Sequence, residues 1–203
     1  MLGLPTATEV HKQLPKKMIY TKLQMNTAAK AKMDADISRI TIVNEISSAS
    51  MHIAEGERIK KFYVVQIALK KKNFEEKTIA TLSKFISQNM LFVLECGDEA
   101  KLAIYHTNLM QTLWQPKDKV SLPIKGLTLD AVWENIIVQV GGVEIERGNT
   151  LDEQIEVDDQ RQNLEKEIER LDKLARKEKQ PKKKFELHQQ INGLKKKFSE
   201  ILK

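Results

Sequence analysis

The chain of 203 residues has a single cysteine, Cys96, so no internal disulfide framework holds it together. No stretch approaches the ~18 consecutive apolar residues of a membrane span. Residues 1–10 lack a basic region followed by an apolar run, so no signal peptide is expected. A soluble cytoplasmic protein is expected. There is no Gly-x-x-x-x-Gly-Lys-Ser/Thr loop, so the chain is not itself a nucleoside-triphosphate motor. His11, His52, His106 and His188 are scattered, and none has a cysteine or second histidine at metal-ligand spacing. No metal and no cofactor is expected. Cys96 sits beside a Gly-Asp turn, an exposed place for a nucleophile, but it stands alone and reads as an inert thiol. No internal repeat is present.

What the chain does have is charge, and the charge is sorted. Hydrophobic residues make up 41% and charged residues 31%, with a net charge of +6. That allows one domain with a core and an appendage, compatible with a nucleic-acid partner without requiring one. From Leu151 to Asp172 three basic residues stand against nine acidic ones; from Lys173 to Lys203 eleven basic residues stand against three acidic ones. The same region carries an apolar stripe. Val157, Arg161, Leu164, Ile168, Leu171 and Ala175 are spaced by fours and threes, and Leu187, Ile191, Leu194, Phe198 and Ile201 repeat the rhythm.

Between the stripes, residues 177–184 contain no apolar side chain, and Pro181 cannot continue a helix but can begin one. The pattern predicts an antiparallel helical hairpin, a coiled-coil arm over residues 149–203 following a globular domain over 1–148. Antiparallel pairing would lay the acidic helix beside Lys195, Lys196 and Lys197 and leave the tip lysines Lys177, Lys179, Lys182, Lys183 and Lys184 without acidic partners. Such an arm serves as a structural coiled coil, as a protein-docking or self-association element, or as a nucleic-acid contact through its tip. Gly193, inside the second helix, suggests a close approach between helices.

The first 148 residues read as α/β, a mixed sheet with flanking helices. Helices are expected over Thr6–Gln13 and Thr27–Asp36. Ile37 to Asn44 alternates with β-branched residues, a strand. Residues 47–58 are polar, with Met51 and Ile53 in a short extended piece. Residues 61–70 are apolar on both faces, an interior strand. Asn73 with Glu76 reads as a capping box for a helix presenting Ile79, Leu82, Phe85 and Ile86. Strands follow at Met90–Leu94 and Lys101–His106, with an edge piece at Leu122–Ile124. Thr128 to Val140 is a strongly amphipathic helix ended by Gly141-Gly142.

A strand, a helix and a further strand also build small nuclease cores of the restriction-endonuclease type. Such a site needs an acid on one strand and a Glu or Gln, a spacer and a Lys on the next. Asp34, Asp36 or Glu45 offers the first acid. The second strand offers Gln66-Ile67-Ala68, with Ala where Lys belongs, and Lys70 lies a pleat further on, roughly 13 Å from Gln66. A metal-dependent nuclease using Asp36, Glu45, Gln66 and Lys70 therefore requires a migrated lysine.

The runs Tyr63–Lys70, Leu91–Leu94, Lys101–Tyr105 and Lys125–Asn135, with the ending Ala175–Pro181 and Lys184–His188, are similar to a bacterial domain-of-unknown-function family. The resemblance covers most of the chain from about Leu4. It implies genes set beside superfamily-two helicases and DNA methyltransferases of restriction or phage-defence clusters. It supplies no catalytic residues. The combined expectation is a non-catalytic accessory or adaptor protein whose hairpin docks onto a DNA-processing partner. The alternatives are the divergent nuclease, or a DNA-binding module using the lysine tip. Self-association through the arm is compatible with all three.

Overall fold

The computed structural model describes residues 2–201 and divides the chain into two compact units, Met1–Val143 and Glu144–Lys203. In the first unit a 3₁₀ turn at Thr6–Thr8 leads into β1 (Glu9–Gln13), followed by α1 (Lys16–Lys22), α2 (Thr27–Asp36) and β2 (Ile37–Ser47). Then come α3 (Ser48–Met51), β3 (Lys61–Leu69), α4 (Glu76–Leu82), β4 (Asn89–Cys96) and β5 (Glu99–Tyr105). β6 (Leu109–Gln111), β7 (Gln115–Pro116) and α5 (Leu129–Gly141) complete it. The sheet order is β1-β2-β3-β4-β5-β6, with β7 also pairing on β5. Only β3 and β4 run parallel, joined by the crossover through α4; the other pairings are antiparallel.

β3 and β4 are the central strands, which is why their sequences are apolar on both faces. On one face Ile40, Ile42, Val65, Ile67, Phe92 and Leu94 form a core with Ile19 of α1, Met33 of α2 and Ile79 and Leu82 of α4. On the other face α5 packs on β5 and β6, and its Trp133 ring lies 5.0 Å from that of Phe62 on β3. Of two register shifts in β2, the one at Ser38 keeps Ile37 and Ile40 in the same core, and the one at Val43 lets the strand serve both layers. Ile42 faces the first core opposite Val65, while Asn44 and Ile46, set against Val64 and Phe62, face the second.

α5 begins where Thr128 caps Ala131 N–H and ends where Gly142 takes a left-handed conformation at φ 62°. Its Asp130 carboxylate reaches back to the loop before β3, accepting from the backbone N–H of Glu57 at 2.7 Å, Arg58 at 3.2 Å and Ile59 at 2.8 Å. Gly56 permits this approach, because a Cβ there would run into the same carboxylate. Burial pushes the Asp130 carboxyl up, but the three N–H donors and the Arg58 charge outweigh it and hold the group below the usual carboxylate range.

The structure corrects several local expectations. The segment expected as a helix over Thr6–Gln13 is mostly strand. β1 satisfies the outer edge of β2, and its five exposed side chains offer no apolar face for a helix to bury. The Met51–Ile53 region is a single turn of helix capped by Ser47, with His52 left-handed at φ 55°. Asn73 does not cap α4, whose N-cap is Glu75. The free Glu75 N–H is taken by Asp36 from across the sheet end, at 2.8 Å. Leu122–Ile124 forms no strand; Leu122 is buried and its N–H donates to the Leu2 carbonyl.

The second unit consists of α6 (Leu151–Lys177) and α7 (Pro181–Ile201), packed together across Ile168, Leu171 and Ala175 against Leu187, Ile191 and Leu194. Thr150 and Glu153 form a capping box at its start. Pro181 opens α7 as its missing N–H predicts. At the far end Arg161 bridges, donating to Glu146 at 2.8 Å and to the Ile201 carbonyl at 3.0 Å. The acidic residues do not reach Lys195, Lys196 or Lys197, which make no ion pair among the described residues. Glu167, Glu169 and Asp172 instead pair with Arg170, Lys173 and Arg176 on their own helix. A neighbour three or four positions along one helix is already in reach, so the charges need no partner helix. Gly193 faces open space, so close helix approach is not its reason.

Candidate functional site

The four residues of the nuclease expectation are placed by β2, β3 and the segments that flank them, and they do not converge. Asp36 ends α2 and stands beside Lys70, whose backbone N–H donates to the Asp36 carbonyl. Glu45 lies nine residues on, about 30 Å along the strand direction, paired across the sheet with Tyr63 and 3.5 Å from Lys61. Gln66 sits mid-strand, and its amide donates to Glu95 on β4 at 2.6 Å. The Lys70 ammonium caps the Asp34 carbonyl at 2.6 Å. Among the described residues no three of His, Cys, Asp and Glu gather as a metal site.

Each candidate acid already has a cation or donor. Asp36 is buried; Glu75 N–H and the Lys71 ammonium at 2.9 Å overcome that burial and hold its carboxyl below the usual range. Asp34 accepts from the Tyr20 hydroxyl at 2.6 Å and from Lys16 at 2.9 Å, which lowers its pKa as well. The Tyr20 hydroxyl is pushed up by burial and by this carboxylate.

The end of the sheet where β3 and β4 finish and β5 begins gathers lysines. Lys71 pairs with Asp36, Lys72 with Glu99, and Lys117 with Glu95 at 3.0 Å. Lys101 differs: it is 9% exposed, and its ammonium lies 4.9 Å from the Phe74 ring and 5.1 Å from the Trp114 ring, with no carboxylate in ion-pair contact among the described residues. Burial lowers its pKa, against the raising influence of Glu76. Glu76 in turn accepts from Gln111, whose own carbonyl oxygen is buried without a partner.

In the second unit the tip lies between Lys177 and Pro181. Lys177, Lys179, Lys182, Lys183 and Lys184 make no ion pair among the described residues. Two apolar side chains flank them, Leu174 at 43% and Phe185 at 63% exposure. Glu178 closes the turn by accepting the Gln180 N–H at 2.8 Å.

The sequence profile of the family described as "Domain of unknown function (DUF4391)" matches residues 2–198. The chain belongs to this family. No curated protein and no solved structure matches it. In this DUF4391 chain the lysines expected at the hairpin turn lie there, and two features were not legible in the sequence. One is Lys101, which reads in sequence as the polar member of an alternating strand. The other is the Gln66–Glu95–Lys117 relay, whose members are far apart in the chain and meet only through the β3–β4 register. No helix among the described residues is long and apolar enough to cross a membrane.

Proposed function

We propose that the protein is a non-catalytic cytoplasmic adaptor whose C-terminal hairpin, built as a coiled coil, docks onto a DNA-processing partner of helicase or methyltransferase type. The observation that supports this reading is the tip. Its five lysines have no acidic partner among the described residues, while Glu167, Glu169 and Asp172 of α6 are paired within their own helix. Two exposed apolar side chains stand beside those lysines. Cations around an apolar anchor are the composition of a docking patch, where a few desolvated side chains carry most of the binding energy. The class of partner rests on the genomic setting that the family resemblance implies.

The test is affinity capture from cells of the native host, comparing the full chain with full-length Lys182→Glu/Lys183→Glu/Lys184→Glu. Helicase or methyltransferase subunits enriched by the first and lost with the second support the proposal. Equal retention by both refutes docking through the tip.

Phe185 directly after Lys182–Lys184 favours a second reading, contact with DNA itself. An aromatic ring set among cations is what single-stranded nucleic-acid binders present. That reading requires affinity for single-stranded DNA to fall steeply with salt, and the slope to become shallower by about 2 when the three lysines become alanine, at ~0.7 per phosphate contact on a single strand. An unchanged slope excludes it.

A further inference from the structure

A cleft of about 260 Å³ opens on the sheet face opposite α1, α2 and α4, between the N-terminal segment, β1 and the middle of β2, β3 and β4. Leu2, Leu4, Val43 and Val93 form apolar walls, and Glu9, His11, Asn44 and Gln66 supply its polar groups. The two amides are held in one orientation each by separate relays. Lys117 pairs with Glu95, so the Glu95 carboxylate can only accept, and Gln66 must turn its NH₂ toward it, at 2.6 Å. The buried Thr8 hydroxyl donates to the Pro5 carbonyl at 2.6 Å, leaving its oxygen free only to accept from Asn44, whose NH₂ lies 2.8 Å away. Both amide carbonyl oxygens are thereby turned away from these partners, and neither accepts a hydrogen bond from any described residue.

The register brings a third acceptor to the same place. Glu9 on β1 is the cross-strand partner of Asn44, and its carboxylate lies 3.5 Å from the His11 imidazole. His11 has the left-handed φ of 50°, and the pairing of β1 with β2 shifts between Glu9 and Lys12 to accommodate it. Histidine is among the non-glycine residues that adopt that conformation most readily, and here it turns the chain at the β1 bulge.

Two oriented carbonyl oxygens and a carboxylate make a cleft that accepts hydrogen bonds and carries negative charge at its mouth. A ligand that satisfies it must donate at two or more points and be positively charged. The volume, just below the usual range for drug-sized ligands, restricts it to a small molecule. We propose that this cleft binds a small organic cation bearing several N–H donors, an alkylammonium or a guanidinium. The lining comes from the first unit alone, and the proposal does not depend on the adaptor reading.

The test is titration of the isotope-labelled full chain with methylguanidinium or n-butylammonium chloride at constant ionic strength, following the side-chain NH₂ resonances of Asn44 and Gln66. The expected result is saturable shifts of these two resonances, with a Kd on the order of 1 mM for so few heavy atoms. Sodium acetate, an acceptor without donors, should leave them in place. Glu9→Gln, at an exposed position that leaves the relays intact, should weaken cation binding about fivefold or more with unchanged thermal stability. The proposal is overturned if neither cation shifts the two resonances by about 50 mM, if acetate shifts them equally, or if Glu9→Gln binds as tightly as the wild type.

Discussion

Replacing Asp130 with alanine tests how the β2–β3 connection is held to α5. The substitution removes three backbone hydrogen bonds, from Glu57, Arg58 and Ile59. Each charge-assisted bond is worth about 1.5–3 kcal/mol when buried, but this loop is largely exposed and water would replace part of the loss. About 2 kcal/mol in total is expected, a fall in Tm of roughly 4–8 °C for a domain of this size. Asp130→Asn, which keeps one acceptor oxygen, should lose about half as much. Because the folded carboxyl lies below its unfolded value, this contribution is complete above the unfolded pKa of 3.8 and is lost as pH falls through the lower folded value. The wild-type and Asp130→Ala melting curves should therefore converge below about pH 4. The assay is calorimetry across pH with amide exchange at residues 57–59. A Tm change under about 1 °C at pH 7, with protection of those amides intact, would refute the reasoning.

Gly193→Ala should stabilise the hairpin by about 1 kcal/mol, since the position is mid-helix and faces open space; thermal melting of the arm would detect it, and destabilisation would show an undetected neighbour. Phe185→Ala should leave Tm within about 1 °C because the ring is 63% exposed, yet weaken capture of the docking partner about fivefold or more. Lys101→Met should flatten the alkaline stability profile. With its folded pKa below the unfolded 10.5, Lys101 makes wild-type stability rise as pH climbs through that interval, and the methionine variant should show no such rise in denaturant titrations between about pH 8 and 11.

Elements with a strong internal period were legible in the sequence. β3 and β4 were read from unbroken apolar runs, α5 from its continuous apolar face, and α6 and α7 from spacings of three and four interrupted at Pro181. In each case burial imposes a pattern on the residues of the element itself. β1 was not legible, because an edge strand with five exposed side chains carries no such pattern and is held by backbone pairing alone. Nor was the cap of α4, which comes from Asp36, 39 positions earlier in the chain.

The same division applies to chemistry. The absence of an acid-spacer-lysine pattern on β3, and the clustering of lysines at residues 177–184, are properties of neighbouring residues and were set by the order of amino acids. The orientation of Gln66 and Asn44 was not. It depends on Glu95, Lys117, Thr8 and Pro5, brought together by strand register and by the bulge at Val43 in β2 that sets Ile42 and Asn44 on opposite faces of the sheet. A bulge moves a side chain from one face to the other without changing its neighbours in sequence, so only the folded sheet decides which groups share a cleft.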